Sequence, residues 1–410
     1  MNKNNKSIDF IKDEFQKYYL KSFKDQKTIS DIEEREFGFQ YWDGPMFQRH
    51  FNFFNRNDLN QYLTTKNPRH SYSSAALYEL PGEKDINHKI WMGCDFVIDI
   101  DADHVDLPCQ EEHDNYTCNA CGKSGKGKPP KVCSCKNTSF KKKNWVCEEC
   151  LDFSKNETIK IIEQYFMPDF GLTENDFLIK FSGNRGYHIQ IQSESFKKLD
   201  QDSRREIANY ITGKNIDLEL QGFQFKPHAI SGPNKFEKGW KGRIIRYLIK
   251  FISETDVKKF KKISSSKSID EILKNRELII KDLNAETPKW NVVNISSKLW
   301  NKLIELAIET YAGKIDEPVS TDTRRLLRLP NSLHGKTGLQ AKIVAYHDLD
   351  KFNPLSDALV FDGEVAVKFK ECPEFTLGNF VYGPYNGGEV EKINKSAAIF
   401  FICKGRAELQ

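Results

Sequence analysis

The segment CDFVIDIDAD at residues 94–103 concentrates acids on what reads as a strand. Alternation puts Phe96, Ile98 and Ile100 on one face and Asp95, Val97, Asp99, Asp101 and Asp103 on the other. Clustered carboxylates repel one another and raise each other's pKa, so a row of them beside a buried apolar face calls for a cation. Residues two apart on a strand have α-carbons roughly 6.5–7 Å apart, within reach of two metal ions about 3.5–4 Å apart. Asp99 and Asp101, framed by the isoleucines, are best placed to hold such a pair. Two-metal chemistry of this kind activates an attacking hydroxyl and stabilises a leaving pyrophosphate. The plainer alternative is a solvated edge strand with an acidic face.

Two basic segments could serve the same chemistry. In FSGNRGYHIQIQ, Gly183 and Gly186 let backbone amides approach a phosphate, and Arg185 offers a fork of donors to its oxygens. On the strand that follows, His188, Gln190 and Gln192 share one face, opposite Ile189 and Ile191. Further on, DTRRLLRLPNSLHGKTGL carries Arg324, Arg325, Arg328, His334 and Lys336 around a turn marked by Pro330, Asn331 and Gly335. Such a basic turn suits a triphosphate or a nucleic-acid backbone. An ordinary polar hairpin and a solvated basic loop are the alternatives. Asp316, in KIDEPVS, is an isolated acid before a proline.

Seven of the ten cysteines lie between Cys109 and Cys150. Cys118-x-x-Cys121 and Cys147-x-x-Cys150 are zinc half-sites, Cys133-x-Cys135 is a third pair, and Cys109 with His113 can be a fourth. The expected pairing is Cys109, His113, Cys147 and Cys150 around one zinc, closing the base of the segment. Cys118, Cys121, Cys133 and Cys135 would hold a second at its tip. With few apolar residues there, metal would supply much of the folding free energy. Lysines 123, 126, 128, 131, 136, 141, 142 and 143 could touch nucleic-acid phosphate or simply be solvated. GKSGKGK at 122–128 imitates a P-loop, but Pro129 stands where Ser or Thr is required.

The elements that must position these residues read as α/β, with strands and helices interleaved. Amphipathic helices are expected at 8–24, 152–167, 202–212 and 298–312, and Asp58 is expected to cap a short helix through Leu63. Strands are expected as a pair within 35–54 around the Asp43-Gly44 turn, at 90–103, and as FLIKF and YHIQIQ around SGNRG. AKIVAY (341–346) and the closing AIFFICK also read as strands. Residues 254–285, rich in Lys, Glu and Ser, form an expected helical subregion, whereas 109–150 reads as irregular chain. The hydrophobic share of 39% suffices for a packed core, which excludes global disorder. The formal charge of +4 permits a nucleic-acid partner only if positive charge is clustered. The opening MNKNNKSIDF has no apolar h-region, and no apolar run approaches a membrane span. The expectation is an intracellular protein with no membrane partner.

Taken in order, these pieces resemble the archaeal and eukaryotic-type DNA primase catalytic small subunit, from about residue 30 to the end. REFGFQ at 35–40 with Arg49 resembles the family's N-terminal basic motif, and DIDAD its metal-binding DxD, followed by a zinc-bearing insert. SGNRGYH resembles its SGxRGxH motif. IDEPVSTDTRRLLRLPNSLHGKTG resembles the segment that opens on the third catalytic acid and ends in a phosphate-binding His.

The resemblance implies that Asp99, Asp101 and Asp316 hold Mg²⁺ or Mn²⁺. It also implies that Ser182, Arg185, His188, Arg328 and His334, with Arg49 and Lys336, contact the incoming nucleotide's triphosphate. It implies an α/β catalytic core with a mixed or antiparallel sheet flanked by helices (residues 1–108 and 151–410) and an inserted zinc-binding module (109–150). The implied reaction is synthesis of short primers from NTPs, with dNTPs also considered, on a single-stranded DNA template. The implied partner is a large subunit, and the implied location is the cytoplasm at the chromosome, or the nucleus in a eukaryotic host. The family usually needs one zinc, so the second cysteine quartet is a departure, as is Asn184 where relatives often carry a second Arg. A primase–polymerase of the same superfamily is the nearest rival. A non-catalytic zinc-containing nucleic-acid-binding protein is the rival from another class.

Overall fold

The carboxylate strand, Phe96–Asp101, forms one edge of a three-stranded antiparallel sheet whose centre is Gly186–Ile191 and whose other edge is Phe177–Phe181. The computed structural model describes residues 3–23, 29–226, 229–263, 267–290 and 295–410. All named strand pairs are antiparallel, and helices lie between them in sequence, so the fold is mixed α/β as the interleaved patterns predict. The chain divides into two compact units, one of residues 1–159, 174–204 and 315–410, the other of 160–173 and 205–314.

In the first unit a four-stranded sheet runs in the order Leu326–Arg328, His70–Ser74, Phe37–Gln40, Phe47–Phe51. The opening helix, Lys3–Lys21, buries Ile11, Phe15, Tyr18 and Tyr19 at helical spacing against Phe37, Phe39, Leu59, Leu63, Leu329 and Leu333. Large apolar side chains on one helical stripe are what such a face requires. Position 24 of that expected helix lies outside the described residues. The helix expected at Asp58 runs Arg56–Lys66, and its cap is Asn55, whose side chain accepts from the Asp58 amide at 3.1 Å. Asp58 therefore sits in the first turn rather than before it.

Two expected strands are not strands. AIFFIC belongs to a helix, Lys395–Cys403, capped by Asn394 and burying Ser396 to Phe401 in succession. A helix buried on nearly every side shows no polar stripe, and a short apolar run then carries no periodicity to tell it from a strand. AKIVAY makes a single bridge, Ile343 to Lys180, flanked by Phe181 N to Lys342 O at 2.9 Å and Val344 N to Ile179 O at 3.0 Å. It extends the Phe177–Phe181 edge without completing a ladder. Residues 109–150, read as irregular, hold a small sheet in the order Ser124–Lys126, Asn115–Cys118, Phe140–Lys143, flanked by the helices Pro108–His113 and Glu148–Ile161.

The second unit is mostly helical. Its longest helix, Gly239–Glu254, did not stand out in the sequence, although Ile244, Ile245, Leu248, Phe251 and Ile252 are spaced to bury one face. That face packs on Ser297–Tyr311. Arg243 is buried over the Tyr165 ring and pairs with Asp169 at 2.6 Å. The expected helical subregion appears as Val257–Ile263, Lys267–Lys274 and Arg276–Leu283; residues 264–266 lie outside the described residues.

Candidate active site

Cross-strand register builds the centre of the site. His188 lies directly opposite Asp99, with Nε2 3.4 Å from Oδ1, and Gly186 lies opposite Asp101. A Cβ on Gly186 would come within 2.3 Å of the Ile100 carbonyl, so only glycine lets the two strands close beside the acids. Asp316, at the start of the short helix Glu317–Thr321, donates its backbone N–H to the Asp99 carbonyl at 2.9 Å. The three acids are thus anchored through backbone. Burial, with Asp101 and Asp316 nearby, pushes the Asp99 carboxyl up to about 7. Burial raises Asp101 as well, against the pull of Arg185. Asp95, immediately before this strand, is fully buried and is held by Arg35 at 2.8 Å and Gln190 at 2.6 Å.

Ser182 caps the SGNRG turn, accepting from the amides of Asn184 and Gly186, each at 3.3 Å. Gly183 has φ +82°, and a Cβ there would meet His334 Cβ at 2.7 Å. Thr337 Oγ1 donates to the Gly183 carbonyl at 2.6 Å. The two basic segments, 154 residues apart at this contact, are therefore clasped loop to loop, roughly as a phosphate cradle requires.

Arg328 and His334 are both nearly buried, at 8% and 6% exposure. Arg328 donates to His70 Nδ1 at 2.8 Å and to the Tyr72 hydroxyl at 3.2 Å, and its guanidinium covers the Tyr72 ring at 4.4 Å. The Gly335 amide donates to the same His70 nitrogen at 3.3 Å, and the Lys336 amide to His334 Nδ1 at 3.3 Å. Acceptance at Nδ1 assigns the ring proton of each histidine to Nε2. Burial lowers the pKa of His70, His188 and His334 well below the usual range, helped by Arg328 in each case. All three imidazoles are neutral at pH 7.

The remaining expected residues lie differently. Arg185 is 1% exposed, with its guanidinium on Asp114 at 3.0 and 3.1 Å, on the Trp145 carbonyl at 3.0 Å, and against Asp103. Arg49, about one-third exposed, pairs with the buried Glu36 at 2.9 Å. Lys336 is exposed. Sequence reasoning missed His70, Tyr72, Lys180 and Lys404. Lys180 is buried opposite His188 with no hydrogen-bond partner among the described residues, and burial lowers it to about 7. Lys404 reaches the Asn144 carbonyl at 3.2 Å and is also lowered by burial to about 7. A lysine inside the apolar run FLIKF was a legible signal for the first; the second had none.

Among the described residues, two quartets bring one ligand atom from each member to within 4.8 Å of the others: Cys109, His113, Cys147, Cys150, and Cys118, Cys121, Cys133, Cys135. The groups match the expected pairing. Tetrahedral bonds of about 2.3 Å to sulfur set neighbouring sulfurs about 3.8 Å apart. The observed separations are 3.5 Å for Cys109–Cys150, 3.6 Å for Cys118–Cys135 and 3.7 Å for Cys121–Cys133. Either quartet could hold zinc. His113 turns Nε2 to Cys147 at 3.2 Å and Nδ1 to Asp114 at 2.8 Å, the outer carboxylate that orients a metal-binding histidine.

Comparison with known proteins covers nearly the whole chain. The DNA primase small subunit family model matches residues 133–346, a span that includes Arg185, His188, Asp316, Arg328 and His334. The DNA primase small subunit PriS of Methanothrix thermoacetophila is 31% identical over 98% of this chain and 99% of its own length. The protein of the same name from Nitrosopumilus maritimus is 30% identical over 99% of this chain and all of its own length. That of Thermoplasma volcanium is 30% identical over 98% of each. The relatives span nearly the whole chain and the family model spans both basic loops, and the chain belongs to the DNA primase small subunit family.

Proposed function

We propose that this chain synthesises short primers on a single-stranded DNA template by two-metal nucleotidyl transfer, with Asp99, Asp101 and Asp316 as the metal ligands. The observation that carries this is the placement of the acids: Asp99 and Asp101 stand two residues apart on one strand, the Asp316 amide donates to the Asp99 carbonyl at 2.9 Å, and burial beside the two other acids pushes the Asp99 carboxyl up to about 7. Carboxylates so placed are relieved by a dication. When bound there, Mg²⁺ or Mn²⁺ would polarise the attacking 3′-hydroxyl and offset charge on the leaving pyrophosphate.

The protein's own part is to bind and orient the triphosphate. Arg328, with Nε2–H of His334, Lys336 and the Ser182 turn, offers donors to phosphate oxygens, and Arg49 is a further contact. His188, lodged against Asp99, couples nucleotide position to the acids. Neutral imidazoles can take up a proton as the polyanion arrives, because the added negative charge raises their pKa. Arg185 supports the same site from a buried position, bracing the SGNRG turn on Asp103 and Asp114. Preorganised charge of this kind supplies most of the rate enhancement in phosphoryl chemistry.

The proposed organisation is a catalytic core of residues 1–108 and 151–410 with a zinc-binding insert at 109–150, one zinc in each quartet. A large subunit is the proposed partner for efficient initiation, and the chromosome the proposed place of work. No described helix is long and apolar enough to cross a membrane. Incubation with single-stranded DNA, labelled NTPs or dNTPs and Mg²⁺ or Mn²⁺, with and without a large subunit, tests the reaction. Templated oligomers are expected, and the sugar preference separates a primase from a primase–polymerase. No product under any of these conditions would refute the proposal.

A further inference from the structure

From Asn115 to Val146 the chain has eight lysines and no aspartate or glutamate. The whole chain carries +4, so the rest without this stretch carries 4 − 8 = −4. The positive charge is therefore concentrated in this stretch, the central part of the insert. The register of its small sheet then sorts the side chains. Lys126 lies opposite Asn115, which lies opposite Lys143; Ser124 lies opposite Thr117, which lies opposite Lys141. Alternation puts all six on one face. The Thr117 and Ser124 hydroxyls, 2.9 Å apart, meet on that face. Tyr116 and Phe140 take the other, edge to face at 5.6 Å, with Tyr116 lying across Gly125.

The lysine face is left open: Ser124, Lys126, Lys141 and Lys143 are all exposed. Among the described residues no acid lies within ion-pair distance of its three lysines, whereas Lys128, nearby, is held by Asp106. Three cations and two hydroxyls on one face, with no carboxylate to neutralise them, form a surface for a polyanion. Strand geometry sets Lys141 and Lys143 about 7 Å apart along the strand, and Lys126 about 9–10 Å across from Lys143. A flexible chain of phosphates can meet that spacing; a single small anion cannot use all three.

We propose that this face of the insert binds the sugar–phosphate backbone of single-stranded DNA outside the catalytic centre, through Lys126, Lys141 and Lys143. The four thiols Cys118, Cys121, Cys133 and Cys135 hold the hairpins that carry those lysines, which gives the additional quartet a role: it shapes a surface. Contacts of this kind are independent of base sequence. The proposal rests on single-stranded DNA being the template, but its test requires no synthesis.

The test is binding of a fluorescein-labelled single-stranded oligodeoxynucleotide to the full chain, by anisotropy across a salt series without nucleotide or divalent metal. The native protein is compared with Lys126→Gln/Lys141→Gln/Lys143→Gln. A control triple, Lys66→Gln/Lys84→Gln/Lys368→Gln, removes the same charge from exposed positions elsewhere. Each phosphate contact on a single strand contributes about 0.7 to the slope of log K against log salt. The insert triple is expected to lower the slope by about 2, with the control unchanged and zinc content equal in all three proteins. An unchanged slope in the insert triple, or an equal fall in both triples, would overturn the proposal. Because the acids at Asp99 and Asp101 are untouched, a failure of the catalytic proposal would leave this result standing, and the reverse.

Discussion

Arg185 and His113 share one carboxylate. Asp114 accepts from the Arg185 guanidinium at 3.0 and 3.1 Å, and its Oδ1 lies 2.8 Å from His113 Nδ1. Arg185 belongs to the SGNRG turn beside the carboxylate strand, and His113 to the first cysteine–histidine quartet. The insert and the candidate active site are thus joined by a buried ion pair. Asp114→Ala would leave Arg185 with Asp103 as its one carboxylate partner, beside the Trp145 carbonyl. A loss of about 3 kcal/mol is expected, since breaking a buried pair strands a charge. Zinc affinity should fall about 10- to 100-fold with the loss of the outer carboxylate. Denaturant unfolding and chelator competition read the two effects, and stability unchanged within about 0.5 kcal/mol would contradict the pairing.

Two separate quartets predict two independent metal equivalents. Elemental analysis of the purified chain should give two zincs. Cys121→Ser and Cys147→Ser should each remove one, leaving the other in place. Loss of both metals from either variant would show the quartets to be one cooperative cluster.

Lys180 gives the pH dependence a sign. Its pKa is lowered from 10.5 to about 7 in the folded chain, so between these values the unfolded state binds more protons. Stability therefore rises with pH across that window, by up to about 1.4 kcal/mol per pH unit from this group. Lys180→Met should flatten the slope by that amount and be at least as stable as the native protein at pH 7. Unfolding measured at pH 7, 8 and 9 checks both statements; parallel slopes in the two proteins would refute them.

Gly186→Ala tests the close approach of the two site strands. A methyl group 2.3 Å from the Ile100 carbonyl must push His188 away from Asp99. Misplacement by about an ångström costs on the order of 100-fold in rate. Primer-synthesis rates for this variant should fall by at least about tenfold while zinc content holds. Native rates would mean that strand separation is unimportant.

What the sequence revealed was whatever local spacing encodes. DIDAD, SGNRG and the cysteine pairs each lie within a few residues, and both quartets group as their spacing suggested. His70 and Tyr72 could not be found that way, because they join Arg328 only through pairing of His70–Ser74 with Leu326–Arg328, some 250 residues later. Lys404 reaches the site from the end of the closing helix, which AIFFIC concealed by burying nearly all its faces. Arg185 reads as an exposed phosphate donor on a glycine turn. Its burial depends on Asp103, just past the carboxylate strand, and on Asp114, whose position follows from the fold of the insert.

The central claim is that Asp99, Asp101 and Asp316 perform metal-dependent nucleotidyl transfer, and Asp101→Asn tests it most directly. The substitution keeps size and hydrogen-bonding shape while removing one charge. Templated primer synthesis should fall by at least about a hundred-fold, with the circular dichroism spectrum and zinc content of the native protein retained. Synthesis at the native rate by a folded Asp101→Asn protein would contradict the account.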